Sequence, residues 1–401
     1  MANSLFDGVQ MAPRDPTLGP TEAFNQDADP NKVNLGVGVY LTDEGRIPIL
    51  RAVAEAERRH AAAASPRGYL PIDGIAAYDT AVQELLLGAA SPLIAAGRAI
   101  TAQSLGGTGA LKIGADLLKK VLPNASVAIS DPTWENHRAV FESAGFPVVA
   151  YPYYDASTRG VRFDAMVDFL TTLPPRTIIV LHACCHNPTG ADLTPDQWHA
   201  LLEVLRKHDL LPFLDLAYQG FAHGIDEDGA VVREFAQSGL PLLIASSFSK
   251  SFSLYGERVG ALTIIDSSKD ESARVLSQLK RVIRANYSTP PTHGGAVVTT
   301  VLTTPELRTA WIEELTEMRE RIRHMRAALV ESLKAQGAGR DFSFVLRQNG
   351  MFSYSGLTPE QVDRLREEFH IYAVSMGRIC VAALNSRNVD YVAKAITTVL
   401  L

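Results

Sequence analysis

The stretch Leu242-Leu243-Ile244-Ala245-Ser246-Ser247-Phe248-Ser249-Lys250-Ser251 carries the clearest structural signal in the chain. Leu242–Phe248 runs without a charged residue and without polar alternation, so it reads as a strand buried on both faces. Similar runs occur at Ser126–Ser130 (SVAIS), Thr177–Ala183 (TIIVLHA), Leu211–Asp215 (LPFLD) and Val259–Ile265 (VGALTII). Helical stretches lie between them, among them Gly109–Leu122 and Pro195–His208. The second of these has Thr194 at the cap and Pro195 at the first helical position. Strands of this kind alternating with helices predict an α/β fold built on a mostly parallel sheet.

Working outward, the texture changes after Thr303. Pro305–Gln336 reads as one long helix, rich in Arg and Glu with apolar residues at helical spacing. Helices at Pro359–Phe369 and Asn388–Leu400 follow, with short strands near Phe342–Tyr354 and Tyr372–Ala383. A boundary near Glu314 divides a large domain, 49–314, from a small α+β domain made of 315–401 together with 1–48. The first 30 residues are rich in Asp, Pro and Asn and read as a surface arm. The 401 residues, 46% hydrophobic, are enough for two cores. A net charge of -6 gives no basic footprint for nucleic acid or an anionic membrane. No apolar stretch is long enough to span a bilayer, and no secretory pattern opens the chain. The three cysteines, two of them adjacent, read as reduced thiols in a cytoplasmic protein.

Ligands bind at the C-terminal ends of strands in such sheets, so the residues there are the candidates. Lys250 stands at the mouth of a buried strand, where desolvation favours its neutral, nucleophilic amine; alone, it also fits a solvated loop. Ser247 and Ser249, with Arg258 eight residues on, make a phosphate site. Asp215 ends another apolar strand and needs a cation beside it, unless it caps the next helix. Tyr218 follows. Gly106-Gly107-Thr108-Gly109 opens a helix whose N-terminus suits an anion, but it lacks the spacing of a P-loop or a dinucleotide fingerprint. Asn187-Pro188-Thr189-Gly190 is a turn that fixes the asparagine at a strand end. Trp134 can stack on a planar ring or fill the core. Arg378, between small residues and an apolar strand, suits a carboxylate. A metal reading of His182, Cys184, Cys185 and His186 lacks the usual paired ligand spacing, so no metal is expected.

Taken together and in this order, these residues resemble the class I (fold-type I) aminotransferases, in the aspartate and aromatic amino-acid branch. The resemblance runs from Asn34-Leu35-Gly36-Val37-Gly38-Val39-Tyr40 to the last helix. It is most specific at Ser249-Lys250-Ser251-Phe252-Ser253-Leu254-Tyr255-Gly256-Glu257-Arg258-Val259-Gly260. It implies the fold of pyridoxal 5′-phosphate (PLP) dependent transferases, a seven-stranded sheet between helices plus a small domain, working as a homodimer. Lys250 would be the Schiff-base lysine and proton carrier. Asp215 would hold the pyridine nitrogen protonated, with His137 behind it. Tyr218 and Asn187 would bind the phenolic oxygen, and Trp134 would stack on the ring. Gly107, Thr108, Ser247, Ser249 and Arg258 would hold the phosphate, joined by Tyr69 of the partner subunit. Arg378 and Gly38 would bind the substrate α-carboxylate, with Trp134 and Asn187 beside it. Arg284, again from the partner, would pair with a side-chain carboxylate.

The implied reaction is ping-pong transamination between an amino acid and a 2-oxo acid such as 2-oxoglutarate. Asp131-Pro132-Thr133-Trp134-Glu135-Asn136-His137 and Gly350-Met351-Phe352-Ser353-Tyr354 are closer to the bacterial aromatic (tyrosine) members. Leu41, Ile47 and Thr289 are expected to form an apolar wall at the mouth of the site. These features favour aromatic substrates together with aspartate and glutamate, over a strict aspartate range. A β-lyase or decarboxylase on the same fold is disfavoured by Arg378 with Arg284, and a nicotinamide oxidoreductase by the missing glycine fingerprint. A non-catalytic binding protein has no need of Lys250, Asp215, Tyr218 and Asn187 together.

Overall fold

The computed structural model describes residues 4–12 and 18–401. A seven-stranded sheet runs through it in the order Ala99–Leu105, Val259–Ile265, Leu242–Ser247, Leu211–Leu216, Ile178–His182, Val127–Asp131, Val148–Pro152. Val259–Ile265 is antiparallel to both its neighbours, and every other pairing is parallel. Successive side chains go to opposite faces, and both faces are covered. Ile178, Val180, Phe213 and Leu262 pack into one core. Ile179, Leu181, Leu214 and Ala261 pack into the other. Two buried faces explain the unbroken apolar runs.

All five expected strands are present, with no end shifted by more than one residue. Two strands escaped the pattern. Ala99–Leu105 carries Thr101, Gln103 and Ser104, all buried; Thr101 Oγ1 meets Thr263 Oγ1 of the neighbouring strand at 2.8 Å. Val148–Pro152 lies at the sheet edge, partly exposed and ending in proline, as an edge strand can. The helix expected from Gly109 begins earlier and spans Gly106–Val121. The Thr194 cap is real: its side chain accepts from Gln197 N, and Gln197 returns a bond to the Thr194 backbone.

The surface-arm expectation holds for part of the N-terminal segment. Leu5, Phe6, Val9 and Met11 are exposed, and residues 13–17 lie outside the described residues. Beyond them the chain folds back. Leu18–Gln26 is a helix, and Val33–Asn34 pairs in parallel with Ile371–Tyr372. The Phe24 ring packs edge-on against Tyr372 at 5.7 Å, and the Asp27 carboxylate accepts from the Tyr372 hydroxyl.

Pro305–Ala335 is an unbroken helix. Its buried Glu314 accepts hydrogen bonds from the backbone N–H groups of Arg51 and Ala52, capping the start of the helix Arg51–Ala63. The strand expected near 342–354 is confined to Phe352–Tyr354, paired antiparallel with Arg378–Cys380. Ser343–Arg347 is a 3-10 turn instead, its Val345 carbonyl taken by Arg326. Pro359–Phe369 and Val389–Val399 complete the chain as helices.

Candidate active site

The ends of Ile178–His182, Leu211–Leu216 and Leu242–Ser247 converge on one cavity. Asp215 does not cap a helix. It lies inside its strand, and the register sets it opposite His182. Its Oδ2 lies 2.9 Å from His137 Nε2, and His137 Nδ1 lies 2.8 Å from the Thr133 hydroxyl. The His137 ring is fully buried, so this relay is fixed from behind. Burial by itself would raise the Asp215 pKa. The His137 hydrogen bond, with the nearby charge of Lys250, outweighs it and holds the carboxyl below its ordinary value. Burial, with the neighbouring His137, pushes His182 down to about 3, so that ring is neutral.

Lys250 follows the Leu242–Ser247 strand, with its amine 5.1 Å from the centre of the Tyr218 ring. Burial lowers its pKa to about 8; Asp215 opposes this, and the charges of Arg258 and Arg378 reinforce it. The loop carrying it is held from below. Trp311 Nε1 donates to the Ser251 carbonyl at 2.7 Å, and its ring stacks on Phe252 at 4.6 Å. Tyr218 is buried, and desolvation raises its hydroxyl pKa above the usual value.

Beside the lysine is a cradle for an anion. Gly106 opens the Gly106–Val121 helix at φ +67, a conformation that favours glycine. A Cβ there would lie 2.8 Å from Arg258 Nη2, and one on Gly107 would lie 3.1 Å from Ser247 Cβ. The bare backbone therefore lets the helix N-terminus close against Ser247 and Arg258, with Thr108 and Ser249 on the same wall. At the other end, Arg378 is 2% exposed and donates to Asn187 Oδ1 at 3.1 Å and to the Gly36 carbonyl at 2.9 Å. Its buried Nε has no protein partner. Its guanidinium carbon sits 4.3 Å from the centre of the Phe352 ring. Such a group, facing a cavity with donors to spare, suits a carboxylate.

Of the residues singled out in the sequence, Gly38, Trp134, Asn187 and Tyr218 also line this cavity. Tyr69 and Arg284 do not. Tyr69 is 97% exposed, and Arg284 is exposed with its guanidinium on Ser288. The expected apolar wall of Leu41, Ile47 and Thr289 is corrected: none of the three lines the cavity. Leu41 turns toward the core and a neighbouring cavity, while Ile47 is on the surface. The apolar surface comes instead from Phe352, Tyr255 and Leu111. Sequence reasoning gave Tyr255, Trp311 and Phe352 no role. Tyr255 lies within the quoted 249–260 stretch, and its hydroxyl accepts the backbone N–H of Tyr40 at 2.9 Å. Only the fold shows that contact.

The family described as "Aminotransferase class I and II" matches residues 30–396. An aspartate aminotransferase of Pseudomonas aeruginosa is 66% identical over 99% of this chain and 100% of its own length. An aromatic-amino-acid aminotransferase of Escherichia coli is 51% identical over 99% of this chain and 100% of its own. The crystal structure of an aromatic-amino-acid aminotransferase from Burkholderia pseudomallei, covalently bound to pyridoxal phosphate, superposes with a TM-score of 0.97. That protein is 68% identical, and the match covers 99% of this chain and 100% of that one. With family pattern, relatives and fold in agreement over nearly its whole length, this chain belongs to the class I and II aminotransferases.

Proposed function

We propose that this aminotransferase carries PLP on Lys250 and moves an amino group between an amino acid and a 2-oxo acid such as 2-oxoglutarate. We read its range as aromatic and dicarboxylic substrates alike. The observation that carries this reading is the half-buried Lys250 amine, facing a cavity whose base is the Asp215–His137 pair. The residues fit the cofactor. A buried carboxylate waits for a ring cation, and the Gly106–Thr108 helix start with Ser247 and Arg258 forms a phosphate cradle that a Cβ would fill.

When bound, the cofactor supplies an electron sink for the pair released as the substrate Cα–H bond breaks. The chain's own residues do the rest. Asp215, kept anionic by His137, would hold the hydrogen on the ring nitrogen. Asn187 offers its Oδ1 to Arg378, which leaves its amide N–H free to donate beside Tyr218 toward the phenolic oxygen. Trp134 would lie against the ring, with Gly107, Thr108, Ser249 and Arg258 on the phosphate. Arg378 would bind the α-carboxylate next to Gly38, orienting the Cα hydrogen toward Lys250. Once the substrate amine has displaced it, Lys250 would take the Cα proton and return it two atoms further along, across the nitrogen, as a 1,3-shift. Its lowered pKa supports that exchange near neutral pH.

The relatives' names divide over substrate. The Phe352 and Tyr255 faces favour accepting an aromatic ring, because an apolar wall discriminates weakly. A strict aspartate range is the second reading, favoured by the name of the 66% identical relative. Arg284 and Tyr69, exposed on one chain, are read as serving the site of a second copy, which makes the active unit a homodimer. Residues 49–314 are read as the large domain, and 1–48 with 315–401 as the small one. No helix among the described residues is long and apolar enough to cross a membrane; we place the enzyme in the cytoplasm.

The test is turnover of tyrosine and of aspartate with 2-oxoglutarate, alongside borohydride reduction of the holoenzyme and peptide mapping. Both substrates should react at measurable rates, and the pyridoxyl label should fall on Lys250. No detectable tyrosine turnover would leave the strict aspartate range. A label on another lysine would remove the assignment.

A further inference from the structure

Cys184 and Cys185 stand between His182 and the Asn187 turn, and the chemistry above uses neither. Their sulfurs and a carboxylate oxygen of Asp228 all lie within 4.8 Å of one another, and all three residues are buried. The sequence does not suggest this grouping. Asp228 lies beyond the Leu211–Leu216 strand and the cysteines beyond its neighbour Ile178–His182; the two parallel strands bring the loops together. Asp228 is held in place, its Oδ2 accepting from Gly220 N and Ala222 N and its Oδ1 from His223 N. Cys185 adopts φ +52, with its backbone N–H on Asp192 Oδ2 at 2.9 Å, and its side chain is turned back beside Cys184.

Cys184 and Asp228 open on a cavity of about 570 Å³, and His223 lines the same cavity with its side chain exposed. Four carboxylates line it, Asp192, Glu227, Asp228 and Glu234, against the guanidiniums of Arg323 and Arg347. That balance favours a cation. We propose that Cys184, Cys185 and Asp228 form a site for one thiophilic divalent cation, zinc or cadmium, with His223 turning in from the cavity wall as fourth donor. Two sulfurs bound to one ion at about 2.3 Å stand roughly 3.7 Å apart, so small side-chain rotations complete the geometry. On binding, each thiol passes its proton to solvent as its sulfur–metal bond forms, and no electron changes hands. The C-x₂-C spacing that usually marks such a site is absent, because here the third donor comes from another strand end.

The experiment uses the PLP-loaded enzyme and cadmium ion. Equilibrium dialysis gives the number bound, and the ultraviolet thiolate-to-cadmium charge-transfer absorption identifies the ligands. The wild type should bind one ion per chain with that absorption. Cys184→Ala and Cys185→Ala should each weaken binding by about 100-fold or more, at least the upper end of what losing an outer-shell partner costs. Cys380→Ala, which removes the remaining cysteine, should leave it unchanged. His223→Ala alters an exposed side chain and should weaken binding several-fold, so the proposal stays testable if a cysteine variant fails to fold. The proposal is overturned if the wild type shows no thiolate absorption with cadmium, if the Cys184 and Cys185 variants or His223→Ala bind like the wild type, or if Cys380→Ala abolishes binding.

Discussion

Lys250 joins two properties that a surface lysine lacks: it is half-buried in the wall of a cavity, and it shares that cavity with Arg258 and Arg378. Both favour the neutral amine, and together they outweigh the opposite pull of Asp215. Only the neutral amine attacks an aldehyde. The rate at which the cofactor-free chain takes up PLP should therefore rise about tenfold per pH unit below pH 8 and level off above it. The growth of visible absorbance after mixing measures this; a rise that continues to the ordinary lysine range would show that the amine is solvated. The same shift bears on stability. Between about 8 and 10.5 the unfolded chain keeps a proton that the folded chain has released, so the cofactor-free protein gains stability from this group as pH rises through that window. At neutral pH and below, the folded state bears the cost of a buried charge.

At the scale of elements, the long helix Pro305–Ala335 organises the substrate end of the site without touching it. Arg326 is 3% exposed; its Nη1 donates to the Val345 carbonyl and its Nη2 to the Gly350 and Phe352 carbonyls. Burial pushes its pKa down to about 10, so it keeps its charge at neutral pH. These bonds seat the turn that presents the Phe352 ring to Arg378 and, edge-on, to Tyr218 at 6.0 Å. Arg326→Met should leave three buried carbonyls without a donor and cost about 3 kcal/mol or more in a denaturant titration. KM for amino acids should rise by a larger factor than kcat falls, because Phe352 loses its seat while Lys250 and Asp215 keep theirs. An unchanged KM would mean that the turn holds its shape unaided. Arg326 could not be singled out from the sequence. In a helix dense with Arg and Glu, nothing local distinguishes a guanidinium buried against carbonyls from one in water.

At the scale of the whole molecule, Tyr69 and Arg284 are assigned residues that the single chain leaves exposed and away from the cavity. A symmetric dimer in which each copy lends these groups to the other makes a definite prediction for mixed variants. Lys250→Ala should be inactive, and Arg284→Ala weak toward aspartate. When the two are mixed and allowed to exchange subunits, each hybrid has one complete site. Random pairing then restores about a quarter of wild-type aspartate turnover. No recovery after subunit exchange, confirmed by mass spectrometry of the hybrid, would mean that Arg284 acts within its own chain or not at all.

The amino-acid sequence alone determined the architecture and the kind of chemistry. Burial on both faces writes itself as unbroken apolar runs at Leu211–Leu214 or Leu242–Ala245, and a polar residue following such a run, as Asp215 and Lys250 do, is conspicuous. Ala99–Leu105 stayed hidden because its buried Thr101 and Gln103 find partners that no local pattern reveals. The tertiary structure alone decided which apolar groups wall the cavity, Phe352 and Tyr255 in place of Leu41 and Ile47, and it alone drew Asp228 to Cys184 and Cys185. The physical reason is common to all of these. Burial and backbone periodicity act on neighbours in the chain, whereas a site is assembled from strand ends and helices far apart in sequence, and their meeting is set by how the sheet and the long helix pack.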